Sequence, residues 1–231
     1  MQETVRLAIE KSNGLMPDNV MVMNDSTSPV DGLPEGVHHR ERCQLDLDRT
    51  PNTFVRITEN YLRALRAVSK PSPYEDRQVC CVCEDDVIFA KCWYSHAKEL
   101  ASTVARDTPF YAISLLHYYE RADFSSGTIV GGRELLRWGD PNSFYGQQGM
   151  VFSAMTARHL AMEWEIALEQ AKTSGDVPGN LLVDMGLKTM IIRLRVPLYT
   201  VHPNLIQHIG DVSGVIPRDT PLRTRHYWSG E

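Results

Sequence analysis

Glu84, Asp85 and Asp86 follow directly on the apolar run Val79-Cys80-Cys81-Val82-Cys83. Three adjacent carboxylates repel one another, and a divalent cation turns that repulsion into coordination. The C-terminal end of a buried strand is also where ligands bind in open α/β sheets. The local alternative is that Asp85 and Asp86 cap a helix that comes next, with Glu84 solvated. The chemistry therefore divides between a cation site and a cap.

Three further groups could take part. His208 lies in Asn204-Leu205-Ile206-Gln207-His208-Ile209-Gly210, a turn-prone stretch after an expected strand. Its imidazole is a neutral ligand for Mn²⁺ or a similar ion if the fold carries it to Asp86, and otherwise a structural histidine. Asp184 stands alone in the apolar stretch Leu181-Leu182-Val183-Asp184-Met185-Gly186. It is an N-cap or a solvated acid, or else a general base whose pKa burial raises towards the working range. Arg218, Arg223 and Arg225 near the C-terminus form either a solvated tail or a closure over a phosphate-bearing ligand.

A second metal set has to be weighed. Cys80, Cys83, Cys92 and His96 have the spacing C-x2-C-x8-C-x3-H, superficially that of zinc. On a strand, however, an odd separation sends Cys80 and Cys83 to opposite faces. These thiols are expected to serve as small buried hydrophobes.

The elements that must position these residues can be read from periodicity. Thr4 to Lys11 reads as a short amphipathic helix ended by Asn13-Gly14. Asn19 to Asn24 is a strand leading into the polar loop Asp25-Ser26-Thr27-Ser28-Pro29, and Asp31 to Arg42 a loop with a short strand near Val37. Phe54, Ile57, Tyr61, Leu62, Leu65 and Val68 fall at helical spacing, and Lys70-Pro71 stops that helix. After the Gln78 to Cys83 strand come a helix from Cys92 to Arg106 and a strand from Phe110 to His117. Asp123 to Gly149 reads as a long irregular, functional segment rich in glycine. Met150 to Ser153 is a strand, Ala154 to Lys172 a long helix, Asn180 to Ile192 a further helix and Pro197 to His202 a last strand. This alternation predicts an α/β fold, a three-layer α/β/α sandwich with a mainly parallel central sheet.

Composition bounds the rest. At 231 residues, without internal repeats, the chain reads as a single domain over 1–231 whose tail is 217–231. A net charge of −5 argues against general nucleic-acid binding. No apolar run approaches the roughly 18 residues of a membrane span, and the start lacks a basic region followed by an apolar one. Five cysteines, three of them crowded into 80–83, suit reduced thiols and a cytoplasmic location.

The order of these features resembles the GT-A class of nucleotide-sugar glycosyltransferases. The resemblance rests on Glu59-Asn60-Tyr61-Leu62-Arg63-Ala64-Leu65 preceding Cys83-Glu84-Asp85-Asp86-Val87-Ile88-Phe89-Ala90. It extends to the Gly-rich stretch Asn142 to Ser153 and to Asp184. The segment Val201 to Ser213 is similar to the ending of N-acetylglucosaminyltransferase-IV-like proteins. Together these cover about Asn19 to Ser213. The resemblance implies Asp86 and His208 as ligands of Mn²⁺ or Mg²⁺ and Asp184 as catalytic base. Glu84, Asp85, Asn24, Asp25 and Arg218 would contact the donor, and Tyr145, Gly146 and Gln147 the acceptor.

One departure is that the chain opens in what looks like the family's first helix, so the usual first strand is missing. Another segment or subunit replaces it, or the start is truncated, or nucleotide-sugar binding is weakened. A homo-oligomer could cover the exposed sheet edge. The function expected is a metal-dependent glycosyltransferase moving a sugar from a nucleotide-sugar donor to a glycan, protein or small-molecule acceptor. The alternative is a degenerate glycosyltransferase-like domain that binds glycan or a protein partner without turnover. A cation-dependent phosphoesterase would need further Asp or His ligands.

Overall fold

The computed structural model describes residues 2–24, 30–41, 52–70, 79–117, 124–144 and 148–209. The strands are β1 (Met21–Asn24), β2 (His38–Glu41), β3 (Val79–Cys83), β4 (Val87–Phe89), β5 (Ala112–Ser114), β6 (Phe124–Val130), β7 (Arg133–Trp138), β8 (Gly149–Ser153), β9 (Leu198–His202) and β10 (Ile206–His208). The helices are α1 (Gln2–Glu10), α2 (Thr53–Val68), α3 (Trp93–Asp107), α4 (Ala154–Ser174) and α5 (Val183–Arg193). No helix among the described residues is long and apolar enough to cross a membrane.

Two of the helices begin at side-chain caps. The Asn52 side chain accepts from the amides of Phe54 and Val55, starting α2. Ser153 Oγ accepts from the Thr156 amide at 3.1 Å, starting α4 directly from the end of β8.

The main sheet has six strands in the order β3-β8-β5-β9-β7-β6, and helices pack on both of its faces. Successive strand residues alternate between two cores, as the two-residue period of a strand requires. Met150 and Phe152 pack with α2, α4 and α5, whereas Val151 packs with α1 and α3. The expected α/β layering is present, but the mainly parallel sheet is not. Within this sheet only β5 with β9 is a parallel pair among the described residues, and β8 runs antiparallel between β3 and β5. The reason lies in the connections. The two-residue turn between β6 and β7 can make only an antiparallel pair, since parallel neighbours need a crossover of about a dozen residues or more.

The same region corrects a second expectation. Residues 124–138 are not irregular but form the β6–β7 hairpin, turned at Gly131 and Gly132, whose φ values of 55° and 77° suit the two-residue turn that matches strand twist. β1 and β2 form a separate parallel two-stranded sheet, tied to α2 by an Asn60 Nδ2 hydrogen bond to the Met23 carbonyl at 3.3 Å.

Candidate metal centre

Glu84, Asp85 and Asp86 form the turn between β3 and β4. They lead into a strand, so the helix-cap reading fails: α3 starts only at Trp93, after Cys92. β4 pairs antiparallel with β10, with Val87 opposite His208, and the Ile209 amide donates to the Asp86 carbonyl at 2.9 Å. His208 therefore lies on a short strand rather than in a turn. That register fixes the imidazole beside the acidic turn, and His208 Nε2 donates to Asp86 Oδ2 at 2.9 Å.

Glu84 completes the group. Its amide donates to the Gln148 carbonyl at 3.0 Å, which holds the start of the turn against β8. One ligand atom each from Glu84, Asp86 and His208 lies within 4.8 Å of the others. Expectation gave Glu84 to the donor, but the structure places it with the metal-ligand candidates. Asp85 points away: its side chain is exposed, and its carbonyl accepts from Thr4 Oγ1 of α1 at 2.5 Å.

Asp86 Oδ1 is buried and accepts no hydrogen bond from the described residues. A buried carboxylate oxygen without a donor is unfavourable by about 1–3 kcal/mol or more, and a cation is the partner that suits it. Two carboxylates and an imidazole form a mixed hard and borderline donor set, which fits Mn²⁺ and accommodates Mg²⁺ less well.

Asp184 stands in the first turn of α5, one residue after the helix begins. Burial pushes its carboxyl up to about 6, opposed by the nearby charges of His208 and Lys188. Its Oδ1 is likewise buried without a hydrogen bond from the described residues. Two features fix the start of α5. The Val183 amide donates to Thr58 Oγ1 at 2.9 Å, holding Val183 at φ 48°, a left-handed conformation costly for a β-branched residue. Gly186 lies so close to the Trp164 ring that a Cβ there would overlap Cζ2.

Tyr61 is the residue that periodicity hides. It occupies the apolar stripe of α2, 8% exposed, and packs tilted against Trp164 with ring centroids 5.9 Å apart. Its hydroxyl is buried without a hydrogen-bond partner among the described residues. Burial holds the phenol well above its usual range, with the carboxylates of Glu84 and Asp184 adding to the effect. A neutral Tyr61 therefore presents an O–H donor near both acids.

The remaining expected residues are placed only in part. Asn24 ends β1 and is 1% exposed, within the separate two-stranded sheet. Asp25, Tyr145, Gly146, Gln147, Arg218, Arg223 and Arg225 lie outside the described residues. The C-x2-C zinc spacing is excluded by geometry: Cys80 packs in the core under α2 and α4, while Cys83 packs on the opposite face. No family model matches the chain, and no curated protein matches it.

Proposed function

We propose that the chain is a metal-dependent glycosyltransferase that moves a sugar from a nucleotide-sugar donor to an acceptor hydroxyl. The observation that carries this reading is the convergence of Glu84, Asp86 and His208, with Asp184 close enough to feel the imidazole charge. Glu84, Asp86 and His208 would hold Mn²⁺ or Mg²⁺, which neutralises charge on a departing diphosphate.

The protein's own groups divide the remaining work. Asp184, with a pKa near 6, is largely ionised at neutral pH yet basic enough to take a proton from an acceptor hydroxyl. Tyr61 donates from its hydroxyl to a ligand oxygen at the edge of the acidic group. Lys188, on the same helix as Asp184, favours the ionised base.

The direct Asp86–His208 hydrogen bond favours a second reading, in which the pair braces β4 against β10 and the domain binds glycan or a protein partner without turnover. Thermal unfolding of the full chain against a panel of nucleoside diphosphates, with and without Mn²⁺, separates the two. The transferase reading requires stabilisation by one pair beyond that of either component alone. Absence of stabilisation by every pair sinks it and leaves the binding domain.

A further inference from the structure

We propose that Cys81 and Cys83 form a chelating dithiol for a thiophilic divalent cation of the zinc or cadmium class, separate from the carboxylate–histidine group. The two residues stand at i and i+2 on β3, so their side chains share one face. Their Sγ atoms lie 3.6 Å apart. Two metal–sulfur bonds of about 2.3 Å spanning that distance meet at about 100°, close to the angle a tetrahedral ion prefers. The pair is set for a bite of that size without moving the backbone.

A disulfide is the competing use, and strand geometry opposes it. Two residues of strand rise place the Cα atoms about 6.7 Å apart, at the long limit for a disulfide. Cys80 is not a third ligand, since it is buried on the other face and its thiol donates to the Val68 carbonyl at 2.9 Å. Both Cys81 and Cys83 are partly buried, packed against the apolar cluster of α1 and α3, on an edge strand that pairs with β8 alone among the described residues. Ion entry displaces one proton from each thiol, forms two metal–thiolate bonds, and leaves the remaining coordination positions to solvent. No oxidant or reductant is consumed.

The donor chemistry keeps the two centres apart. Thiolates select zinc-class ions, whereas the carboxylates of Glu84 and Asp86 suit Mn²⁺. A soft ion bound one residue before Glu84 would act next to the acidic turn without sharing its ligands.

Cadmium titration of the full chain, reduced with a phosphine and saturated with Mn²⁺, tests the assignment through thiolate-to-metal charge-transfer absorption. Carboxylates and imidazole do not produce that band, so it reads thiolate ligation, and the cysteine variants assign it to the pair. The band is expected to saturate at one ion per chain. It should vanish in Cys81→Ser and in Cys83→Ser, and persist in Cys80→Ser and in Asp86→Ala. Persistence in either Cys81→Ser or Cys83→Ser, or no band in the wild type, overturns the proposal. A measurement on the unmodified chain guards against variants that misfold. Phenylarsine oxide, which closes only on two adjacent thiols, should protect Cys81 and Cys83 from maleimide in peptide maps. Labelling of both despite the arsenical also refutes the dithiol.

Discussion

His208 Nε2 lies 2.9 Å from Asp86 Oδ2 because β10 pairs antiparallel with β4, which places Val87 opposite His208. The contact joins the acidic turn to a strand near the other end of the chain. Neither residue is fixed by its own neighbours in sequence. The site exists only when two three-residue strands find each other.

Asp86→Ala should abolish stabilisation by Mn²⁺ while leaving the fold intact. Ligand at about a hundred times its Kd stabilises a native state by about 2.7 kcal/mol, or roughly 5–10 °C in Tm for a chain of this size. Differential scanning fluorimetry of both proteins with and without Mn²⁺ measures the difference. An undiminished shift in the variant removes Asp86 from the site.

Asp184 makes stability depend on pH in a defined direction. Its folded-state pKa of about 6 lies above the ordinary 3.8, so the folded protein holds this proton more tightly than the unfolded chain does. The stabilisation is complete below about pH 4 and is lost as pH rises towards 6. The rise from 3.8 to about 6 corresponds to about 3 kcal/mol. Asp184→Asn should therefore match the wild type in acid and become more stable above pH 6. Urea unfolding at several pH values checks it; parallel profiles for the two proteins refute the buried carboxylate.

The same residue predicts a kinetic signature. If Asp184 is the base, kcat/KM falls on the acid side with an apparent pKa near 6, and this limb disappears in Asp184→Asn along with most of the activity. The assay is sugar transfer, or donor hydrolysis, across a pH range of roughly 5–8.

Tyr61→Phe separates stability from binding. Removing a buried hydroxyl that has no partner among the described residues leaves the folded protein as stable or slightly more so, because an unsatisfied buried donor is unfavourable by about 1–3 kcal/mol. Binding of a nucleoside diphosphate with Mn²⁺ should nevertheless weaken. Calorimetry alongside chemical denaturation reads both effects. Unchanged affinity makes Tyr61 a core residue only.

Gly186→Ala tests how α5 is seated. The added methyl overlaps Trp164 Cζ2 and meets the Leu181 carbonyl at 2.6 Å, so the helix must shift. Overpacking of this kind destabilises by about 1–3 kcal/mol. Tryptophan fluorescence and urea unfolding should both change, and activity should fall further than stability because Asp184 moves with the helix.

Much of the scaffold was legible in the residues. The apolar periodicity of 54–68 marks α2, Asn52 caps it, and the helices at 2–10, 93–107 and 154–174 lie close to where spacing places them. The Cys80 and Cys83 side chains face opposite ways, as an odd separation on a strand demands. The β6–β7 hairpin escaped because its glycine and serine content suggested a loop, although Gly131-Gly132 carried the turn signal. β4 and β10 span three residues each, too short for any period to register. Tyr61 escaped because an aromatic on an apolar helix stripe reads as core whatever its hydroxyl faces.

The sequence by itself determined where the main helices lie, that three carboxylates come after an apolar strand, and that an isolated acid sits in an apolar helix. These are local properties, set by side-chain period and neighbouring residues. Tertiary structure alone decided that β8 enters the sheet antiparallel between β3 and β5. It also decided that β10 carries His208 to Asp86, and that Tyr61 and Asp184 are buried beside the acidic turn. Strand order, register and burial come from contacts between distant parts of the chain, and such contacts leave no periodic trace in any one segment.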